Sequence, residues 1–115
     1  MIEPSTTEAE KAAREVVDRL VSEGQMRRSE GNRLLDDGLP IILQGFALGR
    51  LRGKAEATIA AELEDARRRA QQRHATARTV TARRAAFLHL TTAEFAIAAW
   101  DGLRRDLANH IAANS

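Results

Sequence analysis

Residues 55–74 read AEATIAAELEDARRRAQQRH, twenty positions without a glycine or a proline. Alanine is the strongest helix former, and Glu, Leu, Arg and Gln follow it closely. Ile59, Leu63, Ala66 and Ala70 recur at steps of three and four, the spacing of one helical face. Glu64–Arg68 and Asp65–Arg69 stand four apart, acid first, the order that favours a helix. Toward the N-terminus no proline interrupts the pattern until Pro40, so one long central helix is expected over 40–74. Pro40 suits its first turn, where the missing N–H costs nothing. Toward the C-terminus, Thr76, Thr79 and Thr81 weaken the helix. Carrying the apolar stripe on through Val80 to Phe87 also sets Arg73 and Arg84 in the seam, where unpaired charge is expensive. A break is therefore expected near 75–79.

The flanking segments read the same way. Ser5-Thr6-Thr7-Glu8 has the form of a capping box, and Ala9, Ala12, Ala13, Val16, Val17, Leu20 and Val21 follow at helical spacing, with Gly24 as the stop. Glu10–Arg14 and Glu15–Arg19 pair on that helix. A short helix is expected over 29–37, ended by Gly38-Leu39-Pro40. Val80, Phe87 and Leu88 favour one face, whereas Ala96, Trp100, Leu103, Leu107 and Ile111 favour nearly the opposite one. Thr91 and Glu94 between them offer a second capping box, which splits the remainder into helices over 79–90 and 92–112. With about 6–23 for the first helix, the 115 residues make one all-α domain, a small bundle of four to five helices. Its core is thin: there are 22 Ala, three Phe and one Trp. Val17, Leu20, Leu63, Phe87, Trp100, Leu103 and Leu107 are its expected members.

Gly45, Gly49, Gly53, Ala57 and Ala61 recur every fourth residue. Each helical glycine costs roughly 1 kcal/mol against alanine, so three on one ridge imply a close approach. The candidates are a crossing with the first or last helix and a contact with another subunit. Arg50, Arg52 and Lys54 interrupt the segment and argue against a membrane dimer.

Charge is distributed unevenly. The formal net charge is only +2, yet no acidic residue lies between Asp65 and Glu94, a stretch holding Arg67, Arg68, Arg69, Arg73, Arg78, Arg83 and Arg84. Arg67 has Glu64 one turn away, and Arg68 and Arg69 have the partners named above. Arg73, Arg78, Arg83 and Arg84 have no acid within a turn. A second basic group, Arg50, Arg52 and Lys54, is placed on the same long helix. Sixteen of the 18 basic residues are arginine, whose planar fork matches phosphate or carboxylate. Three destinations are open to this charge: solvent or the acidic first helix, a phosphate backbone, or an acidic protein. Base readout has little support, since Tyr is absent and Phe46, Phe87, Phe95 and Trp100 are spaced as core anchors. The segment from Gly24 to Leu35 fits a helix-turn-helix poorly.

Catalytic patterns are missing. Without cysteine there is no disulfide, thiol nucleophile or Cys-based metal site. His74, His89 and His110 are never three or four apart, so they form no local metal pair, and no Glu-x-x-His occurs. Asp36-Asp37 reads as a helix end. Trp100-Asp101-Gly102 matches the short signature of certain secreted helical hairpins, but lies inside an apolar stripe and not in a mid-chain turn. Neither a secretory h-region nor a span of bilayer length appears. The expectation is a cytoplasmic, non-enzymatic chain with no cofactor, no metal and no membrane contact.

A small, cysteine-free, helical chain with an unpaired arginine strip resembles the small subunits of multi-subunit CRISPR effector complexes. That resemblance implies a bundle that stacks along an assembly and contacts a nucleic-acid backbone without catalytic residues. Arg67, Arg69, Arg73, Arg78, Arg83 and Arg84, with Arg50, Arg52 and Lys54, would be the basic path. Gly45, Gly49, Gly53, Ala57 and Ala61 would serve core or stacking contacts with other subunits, self-association included. The alternative is a helical protein–protein module, such as a phage assembly or inhibitor protein, whose arginines meet an acidic partner.

Overall fold

The computed structural model describes residues 7–114, so Ser5 of the expected capping box lies outside the described residues. The protein is an all-α bundle, and no strand occurs among the described residues. Helix α1 is Thr7–Ser22. Arg28–Arg33, a π turn at Leu34–Gly38 and Leu39–Leu51 run on without a break and together form α2, residues 28–51. Helix α3 is Glu56–Thr76 and α4 is Val80–Ala113.

Helix stops follow local chemistry. Gly24 has φ +74°, and the Gly24 and Gln25 N–H groups donate to the Val21 and Leu20 carbonyls at 3.1 and 2.8 Å, the Schellman pattern of a glycine C-cap. Gly53 does the same: φ is +81°, and the Gly53 and Lys54 N–H groups donate to Arg50 and Gly49. The helix expected over 40–74 is therefore two helices joined at Gly53, and the long helix of the bundle is the C-terminal one. The separation expected between 29–37 and 40–74 does not occur either. The Leu39 N–H reaches back five residues to the Leu34 carbonyl, widening the turn just ahead of Pro40, and the helix passes through the proline without stopping.

The break expected near 75–79 is present. Ala77 and Thr79 are extended, and the Thr79 hydroxyl accepts from the Ala82 N–H at 3.0 Å as the N-cap of α4. The second break, between 79–90 and 92–112, is absent. The Thr91 and Thr92 hydroxyls both donate to the Leu88 carbonyl, at 3.0 and 2.8 Å, bonds made within a continuing helix. The change of apolar face near Thr91 reflects a change of neighbour. Helix α3 runs along α4 from the His74–Phe87 contact to the Glu56–Arg104 pair, and α1 joins on another face between Glu94, which Arg19 meets, and Gly102, which Ala9 meets.

Helix α4 is thus the spine. Its 34 residues span about 51 Å at 1.5 Å each, close to the 53 Å long axis of the molecule. The largest core side chain is Trp100, 1% exposed, whose ring lies 5.0 Å from Phe46. Ala13, Val17, Leu35, Leu39, Ile59, Phe95 and Ala99 complete the cluster. Of the expected core, Val17, Leu20 and Trp100 are buried, whereas Leu63, Phe87, Leu103 and Leu107 are half-buried.

The tightest junction joins the two ends of the described chain. Asp106 is buried, and its carboxylate accepts from the Glu8 N–H at 2.9 Å and the Ala9 N–H at 3.1 Å. A side chain on α4 therefore supplies the N-cap of α1. Gly102, one turn earlier, permits the approach: a Cβ there would lie 2.5 Å from Ala9 Cα. Arg105 pairs with the Glu8 carboxylate at 3.5 Å beside it.

Candidate nucleic-acid interface

The end of the bundle formed by the C-terminal part of α3 and the start of α4 is a two-helix hairpin. From residue 70 to residue 90 the buried side chains are Ala70 and Ala86, with His74, Ala77, Phe87 and Leu90 half-buried. Alanine in this seam lets the helices lie close and leaves their longer side chains pointing outward. The His74 and Phe87 rings, 6.0 Å apart, bridge the two helices near the turn.

Arginines of the expected strip divide into two groups here. Arg67 donates to the Glu64 carboxylate from Nε and Nη2 and to Gln71 Oε1 from Nη1, and Arg69 meets Asp65 at 2.6 Å. The Arg67 guanidinium holds the Glu64 carboxyl below its ordinary range, and Glu64 raises Arg67 in return. These two arginines are already neutralised in part. Arg73, Arg78, Arg83 and Arg84 are exposed and make no ion pair among the described residues. Arg68 joins them, because Glu64 turns to Arg67 and not to the residue four positions on. Spacing alone missed Arg68, since positions three and four ahead compete for one carboxylate. A groove of about 440 Å³ lies between α3 and α4, lined by Arg69, Arg73 and His89 over a floor that includes Ala66, Ala70 and Ala93; of the unpaired arginines, Arg73 lines it.

The second basic group is not part of this end. Arg50, Arg52 and Lys54 lie at the turn between α2 and α3, a full helix of 21 residues from the hairpin turn, about 30 Å at 1.5 Å per residue. Lys54 pairs with Glu62 at 3.0 Å. On α1, Arg19 takes Glu94 of α4 at 2.9 Å in place of Glu15, so Glu94 holds two helices together and caps neither.

The small-residue ridge is also redistributed. Gly53 ends α2, so Gly45 and Gly49 belong to one helix and Ala57 and Ala61 to the next. Gly45, Gly53, Ala57 and Ala61 are exposed, and a Cβ at Gly45 or Gly53 would meet nothing within 4 Å. Gly49 is half-buried, and a Cβ there would touch Ile59 Cδ1 at an ordinary 3.8 Å. Among the described residues no intramolecular crossing uses the ridge. The glycines that packing requires are Gly102, against the α1 backbone, and Gly31, against the Val17 side chain. Among the described residues no helix is long and apolar enough to cross a membrane.

No protein-family model, curated protein or solved structure matches this chain.

Proposed function

We propose that this chain is a non-catalytic helical subunit of a larger assembly that holds a nucleic-acid strand by its phosphate backbone at the α3–α4 hairpin end. The observation that carries the reading is the exposure of Arg73, Arg78, Arg83 and Arg84 without ion-pair partners among the described residues, in a stretch that has no carboxylate from 66 to 93. Like charges gathered at one end of the molecule repel, and a polyanion relieves the repulsion while releasing counterions. Arginine forks fit phosphate oxygens in pairs. The aromatic side chains support backbone contact over base contact: Phe46, Phe95 and Trp100 are buried and Phe87 is half-buried, which leaves no stacking platform. The resemblance to small subunits of CRISPR effector complexes is in keeping with this reading, because those bundles follow a strand without cutting it.

Fluorescence anisotropy with labelled single strands of unrelated sequence tests it. Affinity should depend little on sequence and fall steeply with salt. Changing Arg73, Arg83 and Arg84 together to Gln should flatten the log–log salt slope by about 0.7 per lost contact. Helicity should persist, since Gln is a comparable helix former. The control changes Arg19 and Arg28, which pair with Glu94 and Asp18. Unaltered binding by the triple variant refutes the assignment and favours an acidic protein partner. Equal loss from both sets shows diffuse charge and refutes a defined strip.

A further inference from the structure

The chain carries no charged residue from Gly38 to Gly49. In α2 this apolar run covers the helix on both sides. Leu39, Ile42, Leu43 and Phe46 face the core cluster. The opposite side presents Ile41, Leu48 and Leu51, which are 69%, 47% and 84% exposed, with Gln44 and Gly45 exposed between them. A helix apolar all round belongs in a covered position, yet α1, α3 and α4 leave this side open. At Gly45 nothing lies within 4 Å of a Cβ position, so another helix can come close to the backbone there.

The charges at the two ends of this face say what covers it. Asp36 and Asp37 precede the apolar run and Arg50 and Arg52 follow it; all four are exposed and make no ion pair among the described residues. Ile41, Gln44, Gly45 and Leu48 follow one another at steps of three, one and three, which keeps them on one helical stripe, with Asp37 of the π turn four residues ahead of it and Arg52, the C-cap residue, four residues beyond. The stripe is acidic at its N-terminal end, apolar in the middle and basic at its C-terminal end. Such a stripe is complementary to itself when turned end for end. A two-fold axis between Gln44 and Gly45 sets Ile41 opposite Leu48 of a second copy, Gly45 opposite Gln44, and Asp37 opposite Arg52, each contact made twice.

We infer that α2 is a self-association face, on which two copies of this chain pair antiparallel through Ile41, Gln44, Gly45 and Leu48, with Asp37 of each copy meeting Arg52 of the other. This pairing is independent of the hairpin arginines, which lie at the far end of α3. It also gives the exposed Gly45 a use that the single chain lacks.

Sedimentation velocity over a micromolar to sub-millimolar concentration series reads it directly. The expected species has twice the 12.7 kDa chain mass. Leu48→Asp should return it to single-chain mass with unchanged helicity, because that side chain is outside the core. Asp37→Arg and Arg52→Asp each turn two attractions into two repulsions and should weaken the dimer about tenfold. Mixing the two reversed variants restores both attractions, so heterodimer should form at wild-type strength. Single-chain mass at every wild-type concentration overturns the inference. So does a dimer indifferent to Leu48→Asp, or a dimer in which the mixed charge variants show no rescue.

Discussion

Replacing Gly102 by Ala separates two physical effects of opposite sign. Gly102 lies inside α4, and on helix propensity alone alanine stabilises by roughly 1 kcal/mol. The packing demands the reverse. The added Cβ would lie 2.5 Å from Ala9 Cα and 2.7 Å from Ala9 N, both backbone atoms that cannot swing aside. An ordinary carbon contact needs about 3.5–4.0 Å, so the start of α1 must retreat by an ångström or more. That retreat stretches the bonds from the Glu8 and Ala9 N–H groups to Asp106, now 2.9 and 3.1 Å, past useful hydrogen-bond length. Overpacking costs about 1–3 kcal/mol and loss of a helix cap about 0.5–2 kcal/mol. After the propensity gain is set against them, a net loss of about 2 kcal/mol is expected. Urea unfolding followed by circular dichroism measures it, and the melting temperature should fall by about 8 °C. Gly49→Ala is the matched control: it is also inside a helix, its Cβ would meet Ile59 Cδ1 at an ordinary 3.8 Å, and it should gain up to about 1 kcal/mol. If Gly102→Ala is as stable as Gly49→Ala, the junction between α1 and α4 is not the close approach described.

Two further outcomes follow from the core and from the Glu64–Arg67 pair. Trp100→Ala should cost about 3–5 kcal/mol, because the ring is buried against Phe46; a loss within error in the same unfolding assay would show that the ring is not packed in the core. Glu64 should titrate below its ordinary 4.5, held down first by its hydrogen bond from Arg67. A lowered folded-state value means that its small contribution is present above the ordinary carboxylate range and fades as pH falls through the lowered one. Carboxyl-detected NMR should place the midpoint below 4.5 in the wild type and near it in Arg67→Gln. An unchanged midpoint in the variant would show that Arg67 is not the cause.

Much of the candidate site is legible in the order of residues alone. A run free of carboxylates is a property of composition, and the position of Arg73, Arg78, Arg83 and Arg84 on either side of a weak, threonine-rich turn already gathers them at one end of a hairpin. Their separation from Arg50 and Arg52 is not legible there, because it depends on Gly53 adopting positive φ. Gly45, Gly49 and Gly53 look alike in sequence, and only the third takes the left-handed conformation that closes a helix. Arg68 is masked for a related reason: Glu64 has two arginines in reach and the rotamer decides between them.

The helical class, the stop at Gly24, the turn at 77–79 and the charge map are all written in local sequence, because each depends on residues within a turn or two of one another. The unbroken course of α4 past Thr91 is not. A helix whose apolar face changes reads locally as two helices, and it becomes one only when different neighbours, α3 along most of its length and α1 over its later part, cover the two faces. The same holds for the cap on α1. Asp106 stands 98 residues from Glu8 and 97 from Ala9, and no local rule reaches that far. What brings them together is the missing side chain at Gly102, which lets the backbone N–H groups at the start of α1 come within reach of a carboxylate on another helix.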